Sequence, residues 1–170
     1  PASGRRDAQP QRLTMTHRTR ATAALILAEI LAGKGSLSAA LDPHRERRDS
    51  QRLQEMCFGC CRWFHQLDFL LQQLLSKPFK KKDQDLRSLL VLGLYQLKFM
   101  RIPDHAAINE TVNATGELNK RWARGLSNAV LRNYRRREAK LLQNLQRADL
   151  PQRESHPDWL VSALIGSWPE

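Results

Sequence analysis

Three cysteines, Cys57, Cys60 and Cys61, followed by His65, are the residues whose spacing first raises a question of chemistry. Steps of four residues put Cys57, Cys61 and His65 along one helical face. A zinc site would want four ligands, normally from two separate pairs, and the sequence offers no second cysteine pair. A nucleophilic thiol would need a neighbouring cation or a helix N-terminus, whereas these stand mid-helix among Leu and Phe. The pattern therefore predicts thiols that pack as small apolar residues, with no metal. His17, His44, His65, His105 and His156 show no spacing with an acid and a Ser or Cys that marks a triad. No glycine-rich phosphate loop is present, and no strand–turn–helix unit that would hold a nucleotide or S-adenosylmethionine. The residues predict no active site and no cofactor held by this chain.

Charge says more. Lys and Arg total 28 against 17 Asp and Glu, a net +11. Residues 120–147 hold nine Lys/Arg and the single acid Glu138, so +8 falls in this one stretch. Arg121, Arg124, Asn128, Arg132 and Arg135 step by three or four residues and line one face of a helix, with Arg136 beside them. A merely solvated face would alternate in sign; this one does not. Arg18 and Arg20 add charge near the start of the first helix, next to Arg5, Arg6 and Arg12. The pattern predicts a nucleic-acid partner held through phosphates, with salt-sensitive binding.

The elements that would carry these residues are helices. Of 170 residues 41% are hydrophobic and only 6% aromatic, and Leu occurs 27 times against 4 Val and 5 Ile. That bias predicts an all-α fold. Residues 1–15 lack apolar periodicity and are expected to form a disordered basic arm. A helix should begin at Thr16, with Ala24, Leu27, Ala28 and Leu31 inward and Gly33 at its end. A short helix is expected over 36–41, opened by Ser36, and Asp49 or Ser50 should cap the next. One long helix is predicted from Gln51 to Ser76, then one from Asp83 to Met100 that is apolar nearly all round and so central. A further helix follows Pro103, and a long final one starts near Lys120 with Leu126, Val130 and Leu131 inward. Six or seven helices result, with Gly59, Gly93 and Gly125 marking close crossings. The apolar run from Leu86 to Met100 is too short to span a bilayer. Without a disulfide framework or a secretory signal, a reduced, cytoplasmic protein is expected.

Three segments carry a resemblance: LQEMCFGCCRWFHQLDFLL (53–71), LRSLLVLGLYQLKFMRIPDHAAINETV (86–112) and GLSNAVLRNY (125–134). They resemble the NusB-like helical domain, in the form found at the N-terminus of bacterial Sun/Fmu (RsmB) type small-subunit ribosomal RNA cytosine-5 methyltransferases. SHPDWL (155–160) is similar to the segment that joins that domain to the catalytic half. The resemblance implies a NusB-like fold of two three-helix subdomains, an RNA-binding domain over 16–147, and a linker over 148–170 leading to a methyltransferase domain. Ribosomal RNA and that downstream domain in cis are the implied partners. Arg18, Arg20 and the final-helix arginines match the RNA-facing side. In the family, S-adenosylmethionine and a Pro-Cys nucleophile belong to the downstream Rossmann-like domain. No cysteine here follows a proline, so this chain alone is expected to transfer no methyl group. Two other readings stay open: a free-standing NusB-type transcription antitermination factor, and a helical protein-interaction module.

Overall fold

Thr16 opens the first helix by accepting a hydrogen bond from the amide of Thr19. The computed structural model describes residues 16–168, and the basic arm expected at 1–15 lies outside them. Helix α1 spans His17–Leu31 and α2 spans Leu37–Leu41, with Ser36 as its N-cap. Burial on α1 falls on Thr19, Arg20, Ala21, Ala23, Ala24, Ile26 and Leu27, while Leu31 is exposed. The inward stripe thus lies nearer the helix start than expected.

Where one long helix was expected, the chain forms two, α3 over Ser50–Arg62 and α4 over Phe64–Gln72. The break is at Trp63, whose indole stacks on Phe99 with ring centroids 5.0 Å apart. Asp49 precedes α3, yet its carboxylate does not cap the helix; it takes Arg47 and the Thr19 hydroxyl instead. Helix α5, Gln84–Phe99, is buried at Leu86 and continuously from Ser88 to Leu97. It packs against α1, α3 and α4, and against α6 (Asp104–Glu117) and α7 (Arg124–Gln146). This is the central position its apolar circumference demands.

The described residues form α-helices and short 3-10 turns, with no strand among them. One continuous apolar core draws on α1 through α7, and a smaller cluster joins Ala21 and Ala24 to Leu86, Leu89, Ala114, Leu118 and Ala123. Two expected crossings exist. A Cβ at Gly59 would stand 2.1 Å from the Tyr95 ring, and one at Gly93 would stand 2.7 Å from Leu131. Gly125 is different: no atom lies within 4 Å of such a Cβ, because it sits on the open first turn of α7. Leu126 is likewise 37% exposed there, while Val130 and Leu131 are buried as expected.

The tail is more than a connector. After α7, helix α8 (Leu150–Arg153) packs on α4, and α9 (Asp158–Ser167) follows. Ser155, buried and at φ +57°, reaches the α3–α4 break. Its Oγ accepts from the Gln66 amide at 3.4 Å and donates to the Arg62 carbonyl at 3.1 Å. Helix ends leave such groups without intrahelical partners, and here a residue from the tail supplies them. Gln66 Nε2 also donates to the Arg153 carbonyl at 3.1 Å. No helix among the described residues is long and apolar enough to cross a membrane.

Candidate nucleic-acid interface

The core side of α7 is Ser127, Val130, Leu131, Tyr134, Leu141 and Leu145. With those positions inward, the helical repeat turns Arg124, Asn128, Arg132 and Arg136 outward. Arg124, Arg132 and Arg136 are exposed, as is Arg121 in the 3-10 turn Arg121–Ala123 that leads into the helix. Arg132 Nε donates to Asn128 Oδ1 at 3.0 Å, and Arg124 Nη2 donates to Asn113 Oδ1 on α6, also at 3.0 Å. Amides orient a guanidinium without cancelling its charge. The result is a row of exposed cations on α7 and the turn before it, with Arg124 and Arg132 held by amides.

Arg135 belongs to the same stretch but does different work. Both its Nε and Nη2 donate to Asp104 at 2.7 and 2.8 Å, and Nη1 donates to Glu138 at 2.7 Å. The Asp104 carboxylate holds its pKa above the ordinary value. Its position at the border of the core-facing side makes it a clamp from α7 to the start of α6, with its charge already matched.

The two arginines of α1 separate. Residues two apart on a helix do not share a face, so Arg18 outward places Arg20 inward. Arg18 is 77% exposed and lies 3.7 Å from Glu117 of α6. His17 faces Glu110 and Glu117 at 3.5 and 3.3 Å. Asn113 and Glu117 are one turn apart on α6, so Arg18 and Arg124 flank the same strip of that helix. Arg20, expected at the RNA-facing side, is instead 1% exposed. Its Nε donates to Gln96 Oε1 at 2.8 Å, and Gln96 Nε2 in turn donates to Thr111 Oγ1 at 3.1 Å. Burial lowers the Arg20 pKa to about 10. This chain of polar groups ties α1, α5 and α6 together within the bundle.

A further group escaped the sequence reading. Lys80, Lys81 and Lys82 immediately precede α5. Lys80 and Lys82 border an open hollow of about 570 Å³ that Asp83, Asn119, Lys120 and Trp122 also line, over Phe79 and Leu118. Trp122 is 64% exposed. Lys120 donates to Asp83 at 2.8 Å, which raises its pKa and depresses that of Asp83. An exposed indole among cations is suited to stacking an unpaired base while lysines meet phosphates. The signal was in the sequence as Lys120-Arg121-Trp122, a tryptophan outside any apolar period.

The thiols lie elsewhere. Cys57 and Cys60 are buried and Cys61 half-buried, all unbridged. Desolvation pushes Cys57 up to about 12 and raises Cys60 and Cys61 as well. These are packing residues, far from the low-pKa setting a nucleophile needs. Among the described residues no group of three His, Cys, Asp or Glu could hold a metal ion.

A profile described as the NusB family matches residues 17–136, which spans α1 to the middle of α7. The chain belongs to the NusB family. Its NusB region includes the hollow and the α7 cation row, both of which fall within the matched residues. The chain is 47% identical over 154 residues to the ribosomal RNA small subunit methyltransferase B of Pseudomonas putida, covering 89% of this chain and 35% of that protein. The Pseudomonas syringae pv. tomato protein of the same name is also 47% identical, with 34% of it covered. That of Sodalis glossinidius is 40% identical over 153 residues, with 35% covered. The chain thus spans about a third of the length of the curated relatives it matches.

Proposed function

We propose that this NusB-family chain is an RNA-binding, non-catalytic portion of a small-subunit ribosomal RNA cytosine-5 methyltransferase, and that it positions the RNA for methylation of a cytosine. The observation that carries the reading is the exposed row Arg121, Arg124, Arg132 and Arg136, continued by the Trp122 hollow. Exposed guanidinium groups, two of them held by amides, suit phosphate contacts, and the indole offers a face to an unpaired base. Relatives named as ribosomal RNA methyltransferases support ribosomal RNA as the polyanion and favour this reading over a free-standing antitermination factor. Arg18 extends the row across α6. Arg20 and Arg135 hold the helices that present it.

S-adenosylmethionine would be the methyl donor of the whole enzyme. The described residues of this chain do not fit it: they include no strand followed by a glycine-rich turn, and the hollow beside Trp122 is lined by lysines and faces solvent. No step of methyl transfer is therefore assigned to these residues. Their part is to bind and orient RNA in the cytoplasm, where ribosomal RNA is found.

The test is fluorescence anisotropy with a single-stranded small-subunit ribosomal RNA fragment at two salt concentrations. Changing Arg124, Arg132 and Arg136 together to Glu is expected to weaken binding roughly 10- to 100-fold at low salt. Binding that ignores salt, or that survives this triple change, would overturn the assignment.

A further inference from the structure

Two hollows meet at Phe79. The first is the one beside Trp122. The second, of about 500 Å³, opens between α4 and the start of α5, and Pro78 and Phe79 line both. The segment that separates them is a basic ridge: residues 77–82 hold Lys77, Lys80, Lys81 and Lys82 and no acid. All four lysines are exposed, and none makes an ion pair among the described residues. The acids that follow, Asp83 and Asp85, face Lys120 at 2.8 and 3.3 Å. Phe79 packs on both apolar clusters, while the carbonyls of Lys80 and Lys82 accept from Gln84 and Lys120 at 3.3 and 3.1 Å. The ridge is thus anchored through its aromatic ring and its backbone, and its ammonium groups stay in solvent.

The second hollow is built differently from the first. Its apolar wall includes Leu71, Leu75 and Phe79. On its polar side stands Asp68, which is buried. Asp68 Oδ1 accepts from Nε and Nη2 of Arg87, both at 2.8 Å, and Oδ2 accepts from Gln72 Nε2 at 2.6 Å. Arg87 Nη1 donates to Gln84 at 3.0 Å, and the guanidinium lies over the Phe64 ring. The arginine is therefore matched within the protein and fixes the carboxylate in place. A carboxylate has roughly four lone-pair sites, so Oδ2 can accept once more. Beside it, Gln72 Oε1 accepts no hydrogen bond among the described residues.

Two adjacent acceptors ask for a ligand with two adjacent donors. The N1–H and 2-amino group of guanine are such a pair, whereas uracil offers one N–H between two carbonyls. Cations on the neighbouring ridge ask for phosphate. We propose that a single RNA strand crosses the ridge, seating one base against Trp122 and a guanine in the Asp68–Gln72 hollow. The inference rests on the RNA-binding reading above and adds a base preference to it. A duplex would keep the guanine edge paired and could not fill the hollow.

The test is anisotropy of the 170-residue chain with short single-stranded oligouridines that carry one guanosine, one inosine or no substitution. Guanosine is expected to tighten binding roughly 5- to 50-fold over uridine alone. Inosine, which lacks the 2-amino group, should keep only part of that gain. Gln72→Ala, at an exposed position, should remove the guanosine advantage and leave oligouridine affinity in place. The base comparison needs no variant, so it decides even where the substitution weakens the fold. Equal affinity for the guanosine and uridine strands would overturn the proposal. So would a guanosine advantage that survives Gln72→Ala, or undiminished affinity after annealing to a complementary strand. Free guanosine monophosphate that competes as well as the oligonucleotide would make the hollow a mononucleotide site and overturn it too. Salt-sensitive binding without base preference sinks this proposal alone. A guanosine advantage that persists in full affinity when Arg124, Arg132 and Arg136 are Glu sinks the α7 assignment alone.

Discussion

A single Cβ separates Gly59, Gly93 and Gly125 into two kinds. At Gly59 the added carbon would collide with the Tyr95 ring at 2.1 Å, with Tyr95 itself held against Phe99. Gly59→Ala is expected to destabilise the bundle by about 1–3 kcal/mol in urea unfolding, the usual cost of overpacking. Gly125→Ala meets open space and should stabilise by roughly 0.5–1 kcal/mol through lost unfolded-state freedom. The sequence marked all three alike, since each sat beside apolar positions; which one faced a ring depended on packing. The thiols were legible, because cysteines on an apolar helical face have few other uses. Their pH behaviour follows from burial. Below about 9, the ordinary thiol value, both states keep the proton and stability is complete. Above it the unfolded chain ionises first, so stability is lost progressively up to about 12, the folded value of Cys57. Unfolding curves at about pH 8 and about pH 10.5 should show the loss, and replacing Cys57 and Cys60 by Ala should reduce its slope.

Helix existence was readable from period and caps, while helix breaks were not. The stripe from Leu53 to Leu74 runs across Trp63 without interruption, and nothing local stops the helix there. What divides α3 from α4 is joined by Ser155, 93 residues away from Arg62. A remote cap leaves no trace in a window of neighbouring residues, so residues 148–170 read as a linker. Ser155→Ala is expected to cost about 1–2 kcal/mol, like the loss of an N-cap with two buried partners. Denaturant melts check it, and the Gln66 amide should exchange faster in the variant. Arg18 and Arg20 teach the same lesson from the other side. Composition placed both with the phosphate-facing cations, whereas a 3.6-residue repeat allows only one to face out. Arg20→Leu should therefore destabilise the fold and leave RNA affinity per folded molecule unchanged, measured by anisotropy after correction for the folded fraction.

On the scale of the whole molecule, charge is uneven along the chain, with +8 of the net +11 in residues 120–147. That stretch carries the α7 row; the tail after Arg153 carries acids and exposed apolar residues. This unevenness gives a quantitative expectation. Each phosphate contact on a single strand contributes about 0.7 to the slope of log affinity against log salt, so removing three should flatten it by about 2. Titration of the Arg124, Arg132 and Arg136 triple variant beside the parent chain measures this directly. The tail cap has one more consequence, in time rather than space. Helix pairs close in sequence can form early, but the contact from Ser155 to Arg62 must close a loop of 93 positions. Long-range contacts of that kind are entropically slow. Ser155→Ala is accordingly expected to speed unfolding with little change in the folding rate, so that the seated serine marks the last step of assembly.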